Sequence, residues 1–329
     1  MSITRDTILE LFRNRPDHFV SGADVCRELG ISRTAVWKHI RQLRDNGYEI
    51  EAIPSRGYRL VSLPDLLLPA EVTAGLKTRC VGREVIYFDQ TDSTNAQARI
   101  LADAGAAEGT VVIADSQSGG KGRLGRNWFS PCGVNLYLSV ILRPTISPRF
   151  ATQMTFLSAV AVARAIEATG SYSPQLKWPN DVLLAGHKVA GLLNELNAET
   201  EQIHYLVLGV GINLNMTAEQ FPSGLRCPAT SLLLDGGKIV SRRQFTQSLL
   251  LSLDQLYTSY LSDGFQPLKE EWERRCNVIN QWVEVDYQSH QQVGQVSGVD
   301  ESGALLLSLA GGVTERVLAG DVRLLNRSK

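Results

Sequence analysis

Apolar residues recur at helical spacing in the first part of the chain. A first helix is followed by a second, predicted over residues 21–29 with Ser21 as its N-cap. A third helix is predicted from residue 32 until Gly47 ends it, because its apolar side chains recur at i, i+4 and i+7. The apolar stripes of the first and third helices consist of Ile8, Leu11 and Phe12 and of Val36, Ile40 and Leu43.

The third helix carries cations opposite its apolar stripe, which favours a DNA-binding module over a merely solvated basic face. Two helices that are joined by a short turn, with the second one basic on its outer face, are typical of a helix-turn-helix. Residues 48–61 then predict a β-hairpin, the wing of such a module. One such module reads few bases, so specific binding calls for a homodimer on two-fold operator DNA. The predicted DNA contacts are Ser32, Arg33, Thr34 and Lys38, with Arg41, Arg44 and Arg56 at phosphates.

A linker near residues 62–70, marked by Pro64 and Pro69, precedes a longer region in which strands and helices alternate. Neighbouring strands are close in sequence, which favours a mixed sheet. Predicted strands cover residues 85–88, 110–115, 135–142, 182–184, 188–196 and 203–212, and predicted helices cover 94–104, capped by Ser93 or Thr94, and 147–169. Short β runs at 282–287, 293–299, 304–309 and 316–318 predict a small terminal barrel.

Length and composition narrow the class of protein. The 329 residues allow two or three domains, and the net charge of −1 argues against a chain that coats nucleic acid along its whole length. The apolar runs are too short to cross a membrane and the N-terminus has no apolar signal core, so a cytoplasmic protein with no membrane partner is predicted. The five cysteines are scattered and never spaced C-x-x-C, so no metal site is predicted.

The stretch SGGKGRLGRNWFS, residues 118–130, contains the spacing G-x-G-x-x-G at Gly120, Gly122 and Gly125. A dinucleotide-binding turn needs a helix directly after the glycines and an acidic residue about 20 positions on. Here an aromatic, proline-broken segment and then a strand follow, and no acid occurs between Arg126 and Glu167. The dinucleotide interpretation therefore fails, and a P-loop fails too because no G-K-[ST] ends the run.

The same stretch keeps the features of an anion-binding loop. Glycines let consecutive backbone N–H groups approach an anion, and Lys121, Arg123 and Arg126 supply charge for phosphates. Trp128 and Phe129 next to them suit a pocket wall, or equally an anchor that fixes the loop to the core.

A second candidate cluster is LKWPNDVLLAGHKVAGLLNEL, residues 176–196. Lys177 and Asp181 bracket a tight turn, and Asp181 either acts in chemistry or only caps that turn. Lys188 lies in an otherwise apolar strand beside small residues, which suits a charge aimed at a buried anion; the alternative is an exposed edge lysine that deters aggregation.

Together these residues resemble one family, the biotin protein ligases of the bifunctional type that also represses the biotin operon. The resemblance implies an α+β multidomain fold: a winged helix-turn-helix over residues 1–62, a mixed-sheet α/β catalytic domain like that of biotin and lipoate ligases over 63–275, and an SH3-like β-barrel over 276–329. The motifs that carry it are DSTN (92–95), GGKGRLGRNWFSP (119–131), NLYLSV (135–140), KWPNDV (177–182), KVAGLL (188–193) and GVGINLN (209–215).

The resemblance implies an activity and its partners. Members use biotin and ATP with Mg²⁺ to form biotinyl-5′-AMP, then transfer biotin to a lysine of the biotin carboxyl carrier domain of acetyl-CoA carboxylase. The adenylate also acts as corepressor and favours the homodimer that binds operator DNA. Positions that match the biotin site are Ser93, Thr94, Asn95, Gln117, Lys121, Gly122, Arg123 and Lys188; those on the adenylate side are Arg126, Trp128 and Asn180. The resemblance also implies that residues 215–231 fold over the adenylate, with no contact of that segment named.

The residue chemistry agrees with this activity. A carboxylate that attacks an α-phosphate needs positive charge and positioning rather than a side-chain nucleophile, and Arg123 and Lys188 are predicted to supply them. Asp181 is predicted to orient or deprotonate the incoming amine. Lys121 stands where the family usually has Arg, so it keeps the charge and loses the bidentate fork.

Three rival functions stay open. A pure sensor would bind the adenylate without transferring biotin, and a ligase with a vestigial N-terminal domain would not bind DNA. A lipoate ligase relative would share the fold class, but its R-R-x-S-G-G-G loop and following H-D pair are missing.

Overall fold

The computed structural model describes residues 3–15, 18–45, 47–62, 65–287 and 290–325. The chain divides into two compact units, Met1–Leu66 and Leu67–Lys329. The part of the predicted linker at residues 63 and 64 lies outside the described residues.

The first unit is three helices followed by a hairpin, as predicted. The helices α1 (Ile3–Arg13), α2 (Gly22–Leu29) and α3 (Arg33–Asp45) precede strands β1 (Glu49–Ile53) and β2 (Gly57–Ser62), which pair antiparallel. The core combines Val36, Ile40 and Leu43 of α3 with residues of α1. In α1, Leu9 is fully buried and Leu11 only half-buried, so the predicted stripe is shifted at that position.

Caps fix both helices of the helix-turn-helix. The hydroxyl of Ser21 accepts a hydrogen bond from the N–H of Asp24 at 3.0 Å, which confirms it as the N-cap of α2. Gly30 ends α2 with a φ of 64°, a conformation that glycine adopts without a Cβ penalty. The Ser32 hydroxyl then accepts from the N–H of Ala35 at 3.2 Å at the start of α3.

The second unit is built on a seven-stranded mixed sheet. Its strand order is β3-β4-β5-β9-β8-β7-β6; β3 and β4 are parallel, and the other neighbours are antiparallel. The predicted mixed sheet is thus confirmed. The strands are β3 (Val85–Thr91), β4 (Val111–Gln117), β5 (Leu136–Leu142), β6 (Gln175–Lys177), β7 (Asp181–Leu184), β8 (His187–Ala198) and β9 (Ile203–Ile212).

Helices cover both faces of this sheet. In β4, side chains alternate between the faces, so Val111 and Ile113 join the cluster that contains α6, whereas Val112 packs with Ala98 of α5. The helices of this unit are α4 (Pro69–Thr73), α5 (Thr94–Asp103), α6 (Gln153–Thr169), α7 (Leu232–Gly236), α8 (Arg242–Asp263) and α9 (Gln266–Arg275). The predicted start of α6 at residue 147 is wrong, because Pro148 opens a separate single turn and the α-helix begins only at Gln153.

The chain ends in a five-stranded antiparallel sheet of order β13-β12-β11-β10-β14. Its strands are β10 (Trp282–Tyr287), β11 (His290–Val299), β12 (Leu305–Ser308), β13 (Thr314–Val317) and β14 (Asp321–Leu324). The last strand was not predicted. The turn between β11 and β12 packs on α6, where a Cβ added to Gly303 would lie 2.7 Å from the Phe156 ring. The carbonyl of Gly303 also accepts a hydrogen bond from the buried indole of Trp178 at 3.2 Å.

Candidate functional site

The second unit contains a cavity of about 580 Å³ where the ends of several strands meet. The glycine-rich loop after β4 forms one wall, and the turn before β7 and the start of β8 form another. The segment after β9 and the first residues of β14 complete the lining. Every predicted biotin and adenylate residue lines this cavity.

A side-chain amide holds the first turn of α5 at the cavity. Gln117 Oε1 accepts hydrogen bonds from the backbone N–H and the hydroxyl of Thr94, at 2.8 and 3.2 Å. Gln117 Nε2 donates to the Ser130 hydroxyl at 2.9 Å, which ties the same amide to the end of the glycine-rich loop. Ser93 occupies the N-cap position without a side-chain capping bond, so Gln117 performs the capping expected of Ser93 or Thr94.

Asn95 is built into the sheet. Its amide nitrogen donates to the Leu193 carbonyl at 3.1 Å and to Glu195 at 2.8 Å, and its oxygen accepts from the Ser139 hydroxyl at 2.7 Å. A Cβ added to Gly209 would lie 2.1 Å from that oxygen, so glycine is required to admit Asn95. Both N–H groups of its amide are thus engaged by protein groups, and its oxygen accepts one hydrogen bond.

The floor of the cavity is backbone. Gly191 of β8 and Gly211 of β9 face each other across the two strands, and the Trp128 ring lies on both. A Cβ would come within 2.9 Å of the ring at Gly191 and within 2.5 Å of its Nε1 at Gly211. Trp128 is therefore both a pocket wall and a contact with the sheet, whereas Phe129 is 50% exposed. The Trp128 indole N–H has no hydrogen-bond partner in the described part of the chain.

Lys188 and Asp181 form an ion pair inside the cavity. Lys188 Nζ lies 2.5 Å from Asp181 Oδ1 and 5.5 Å from the centre of the Trp128 ring. The idea that Lys188 is an exposed edge residue is wrong, because β8 lies between β9 and β7 and the lysine side chain is only 25% exposed. Asn180 closes the adjoining turn, since its amide donates to the Leu192 carbonyl at 2.7 Å.

The glycine-rich loop folds back on itself and presents its cations to the cavity. The Gly122 N–H donates to the Arg126 carbonyl at 2.7 Å, and the Trp128 N–H to the Gly120 carbonyl at 2.8 Å. Arg123 is half-buried and reaches Asn180 Oδ1 at 3.5 Å; burial lowers its pKa from the ordinary value. Lys121 is exposed at the rim.

Two further parts of the lining supply contacts that were not named from the sequence: Asp321, which was not assigned at all, and residues 215–231, which the resemblance placed over the adenylate without naming any contact. Asp321 of β14 binds Arg126, and Arg226 from the segment after β9 binds the same carboxylate. Phe221 and Leu225 of that segment also line the cavity. Nothing in the sequence pattern joins Asp321 to a loop 195 positions away, whereas Phe221 and Arg226 within residues 215–231 are a signal that could have been used to name contacts there.

In the first unit, the basic face of α3 is exposed. Ser32, Arg33, Thr34, Lys38 and Arg41 all lie on it, and so does Trp37, which was not predicted and is 56% exposed.

Two arginines near this face bond within the unit. The Arg44 guanidinium donates twice to the Ile50 carbonyl, at 3.0 and 2.5 Å, and braces α3 against β1; Arg44 is also exposed, and its phosphate contact stays a prediction. Arg56, at the wing turn, lies over the Phe19 ring at 4.4 Å.

Two features of the described residues bear on partners. No group of three or more His, Cys, Asp or Glu side chains there is arranged to hold a metal ion. No helix there is long and apolar enough to cross a membrane.

Comparison with known proteins gives three family matches along the chain. Residues 87–213 match the biotin/lipoate A/B protein ligase family, residues 4–59 match a helix-turn-helix domain, and residues 278–325 match the biotin protein ligase C-terminal domain.

Full-length relatives extend these matches. The bifunctional ligase/repressor BirA of Bacillus spizizenii is 39% identical over 98% of this chain and 99% of its own length, and that of Escherichia coli is 31% identical over 94% of each. Among solved structures, the biotin protein ligase of Aquifex aeolicus in complex with biotin and ATP superimposes with a TM-score of 0.63 at 28% identity. That likeness covers 74% of this chain and 99% of the Aquifex chain.

Proposed function

Because this chain belongs to the family of bifunctional biotin ligase/repressors, we propose that its cavity is the site where biotin is joined to AMP and then passed to a protein lysine. The chain is a biotin–protein ligase that uses ATP, and its helix-turn-helix makes it a DNA-binding repressor. The observation that carries the assignment of the site is the convergence of Arg123, Lys188 and Asp181 on one glycine-floored cavity.

In the first half-reaction, a biotin carboxylate oxygen attacks the α-phosphorus of ATP, the bond to the bridging oxygen breaks, and pyrophosphate leaves. Both reactants are anions, so the barrier falls when fixed cations offset their repulsion. Arg123 and Lys188 supply those cations, and removing one such group in comparable sites costs about 3 kcal/mol of transition-state stabilisation. Gly191 and Gly211 let the Trp128 ring lie directly against the backbone of β8 and β9, where it forms one wall of the cavity.

Magnesium enters with the phosphates in this proposal. Among the described residues, the carboxylates that line the cavity are Asp181 and Asp321, and each is paired with a cation of the chain rather than grouped into a metal cage. Mg²⁺ commonly binds through substrate phosphates with several waters retained, which agrees with this lining.

In the second half-reaction, the acceptor amine attacks the carbonyl carbon of the mixed anhydride, the carbon–oxygen bond to AMP breaks, and the amine loses a proton. Asp181 receives or orients that proton, because it is the carboxylate next to Lys188 in the cavity. A biotin carboxyl carrier domain of acetyl-CoA carboxylase is the acceptor that we propose.

The remaining pocket residues bind the two halves of the adenylate. Trp128 and Asn180, with Arg126, are assigned to the adenylate. Biotin is held by the residues around the first turn of α5 and the glycine-rich loop, namely Ser93, Thr94, Asn95, Gln117, Lys121, Gly122, Arg123 and Lys188.

The repressor half rests on the first unit. The exposed side chains Ser32, Arg33, Thr34, Lys38 and Arg41, with Arg56 at the wing, would contact operator DNA, and biotinyl-AMP would favour the homodimer that binds it. We also propose residues 1–62, 63–275 and 276–329 as the DNA-binding, catalytic and C-terminal domains, in a cytoplasmic protein.

One assay tests the enzyme. Purified protein is incubated with biotin, MgATP and a carrier domain, and the carrier is examined by mass spectrometry for the increment of one biotin. Adenylate formation without that increment would leave only a ligand sensor. Deletion of residues 1–62 is expected to abolish adenylate-dependent operator binding while carrier biotinylation continues; unchanged operator binding would contradict the assignment of the first unit.

A further inference from the structure

Trp37 is the most exposed tryptophan of the chain, and it lies near the middle of α3. It is 56% exposed, whereas the other four tryptophans are buried or half-buried. Among the described residues, the hydrophobic core of the first unit contains its neighbour Val36 but not Trp37. The indole therefore adds little to the packing of this unit, and its large apolar surface is available to a partner.

The helix places this indole among cations. Arg33 and Arg41 lie four positions before and after Trp37, so they share its face of α3, and Thr34 and Lys38 are exposed beside them. The guanidinium carbon of Arg41 lies 5.7 Å from the centre of the Trp37 ring, which is a cation–π contact along the helix surface. That contact keeps the ring on the basic face of the helix.

This basic face matches the charge of DNA. In a helix-turn-helix the second helix lies in the major groove, and residues near its N-terminus contact the edges of the bases. Trp37 is the fifth residue of α3, between Thr34 and Lys38, two of the side chains proposed to contact operator DNA. The cations around the indole are attracted to phosphates, so they bring the ring to the groove between them.

The chemistry of the major groove limits what an indole can recognise there. Its single N–H is its only polar group, so most of the ring offers apolar contact alone. The base-pair edges in this groove are polar except for the C5-methyl group of thymine, which packs against apolar side chains. Contact between the ring and that methyl group removes apolar surface of both from water. Thymine is therefore the base that an indole at this position fits.

We propose that Trp37 is a specificity-determining residue of the repressor, and that its indole packs against the C5-methyl group of one thymine in each half of the operator. The proposal rests on the proposed contact of α3 with operator DNA. The cations of α3 attract the phosphates of any sequence, whereas the indole gains its contact only where a thymine stands opposite. Trp37 thus contributes to the choice of sequence more than to the general affinity for DNA.

The test removes single methyl groups from the operator. Full-length protein with biotin and MgATP first selects its binding site from a pool of random DNA duplexes. Each thymine of the selected duplex is then replaced in turn by deoxyuridine, which lacks only the C5-methyl group, and affinity is measured by fluorescence anisotropy. For wild type, we expect one position in each half-site at which this replacement lowers affinity about fourfold, the size expected for burial of one methyl group.

Substitution of the indole should remove this response. Trp37→Ala should weaken binding to the thymine duplex by at least the same factor and should no longer distinguish deoxyuridine at that position, because the contact is absent in both cases. Trp37→Phe keeps an aromatic ring and should retain part of the response. The dependence of affinity on salt should stay as in wild type, since no charge is removed.

The matched control is Val61→Ala. Val61 is also an exposed apolar residue of the first unit, at 54%, and it lies near the end of β2 away from the wing turn. This variant should bind the thymine and deoxyuridine duplexes as wild type does.

Each outcome supports or overturns the proposal. It is wrong if no deoxyuridine weakens wild-type binding, or if Trp37→Ala responds to deoxyuridine as wild type does. Weaker dimerisation of Trp37→Ala in the absence of DNA, measured by sedimentation with biotin and MgATP, would assign the indole to a contact between two copies and also overturn it. Should Trp37→Ala not fold, as judged by thermal unfolding, Trp37→Gln replaces it. Failure of wild type to select any duplex would instead refute the proposed contact of α3 with DNA.

Discussion

Lys188 and Asp181 place opposite charges 2.5 Å apart, on neighbouring strands, beside the glycine floor of the cavity. We assign the cation to the first half-reaction and the carboxylate to the second. The two charges also stabilise each other, because each side chain is at most 25% exposed.

Substitution of each partner should therefore slow a different step. Lys188→Met is expected to slow biotinyl-AMP formation about 100-fold, because a fixed cation beside the reacting anions is lost. Asp181→Asn is expected to leave adenylate formation largely intact and slow transfer to the carrier about 100-fold. Single-turnover measurements of each half-reaction distinguish them, with Lys269→Met on α9 as the control. If Asp181→Asn slows both steps equally, Asp181 only caps its turn and has no specific role in transfer.

The Trp128 ring should be displaced by a single methyl group. In Gly211→Ala the new Cβ would lie 2.5 Å from the indole nitrogen, so the ring has to move off the floor. We expect at least a tenfold loss of adenylate affinity, about 1.4 kcal/mol, and a change in tryptophan fluorescence. Gly119→Ala is the control, since its Cβ would meet the nearest atom, the Asp92 carbonyl oxygen, at 3.4 Å. Normal affinity in Gly211→Ala would show that Trp128 does not bind the adenylate.

Two cations of α3 should behave differently toward DNA. Lys38 is exposed, so Lys38→Ala should weaken operator binding and reduce the salt slope by about 1. Arg44 donates to the Ile50 carbonyl, so Arg44→Ala should lower the melting temperature of the first unit and leave the salt slope nearly unchanged. Salt titrations of operator binding and thermal unfolding of both variants test the contrast. A reduced salt slope in Arg44→Ala would instead show that Arg44 contacts a phosphate of the DNA.

Ligand binding should protect one thiol. Cys227 is exposed and lines the cavity, so iodoacetamide should modify it, and biotin with MgATP should slow that modification. Cys132 is exposed outside the cavity lining and serves as the internal reference. Burial raises the pKa of Cys276 to about 11, so at pH 7.5 its thiolate fraction is small and it should react slowly. Both rates are measured by peptide mass spectrometry. Equal protection of Cys132 and Cys227 would argue against binding of biotin and MgATP in this cavity.

The sequence predicted elements well where local pattern and tertiary packing agree. Helix α5 was expected at residues 94–104 and covers Thr94–Asp103, and β4 was expected at 110–115 and covers Val111–Gln117. Helices α8 and α9 were not predicted at all. In α8 the apolar residues recur at helical spacing, at Phe245, Leu249, Leu253 and Leu256, so the signal was present and unused.

The candidate site was also predictable only in part. Residues in contiguous motifs, such as Lys121, Arg123 and Asp181, could be proposed because their chemistry is visible in one stretch of sequence. The pairing of Lys188 with Asp181 depends on the register of β7 and β8, and the reach of Asp321 depends on where a four-residue strand ends. Such distances are set by packing between segments far apart in sequence, which local patterns do not encode.

The bare floor made by Gly191 and Gly211 also limits how the enzyme can be redesigned. Side chains that are already absent cannot be trimmed, so room for a bulkier biotin analogue has to come from the walls. Trp128 is the wall residue whose ring rests directly on that floor, so a smaller side chain there would open space in the cavity. With the adenylate role that we propose for Trp128, substrate range and retention of the intermediate would depend on the same indole.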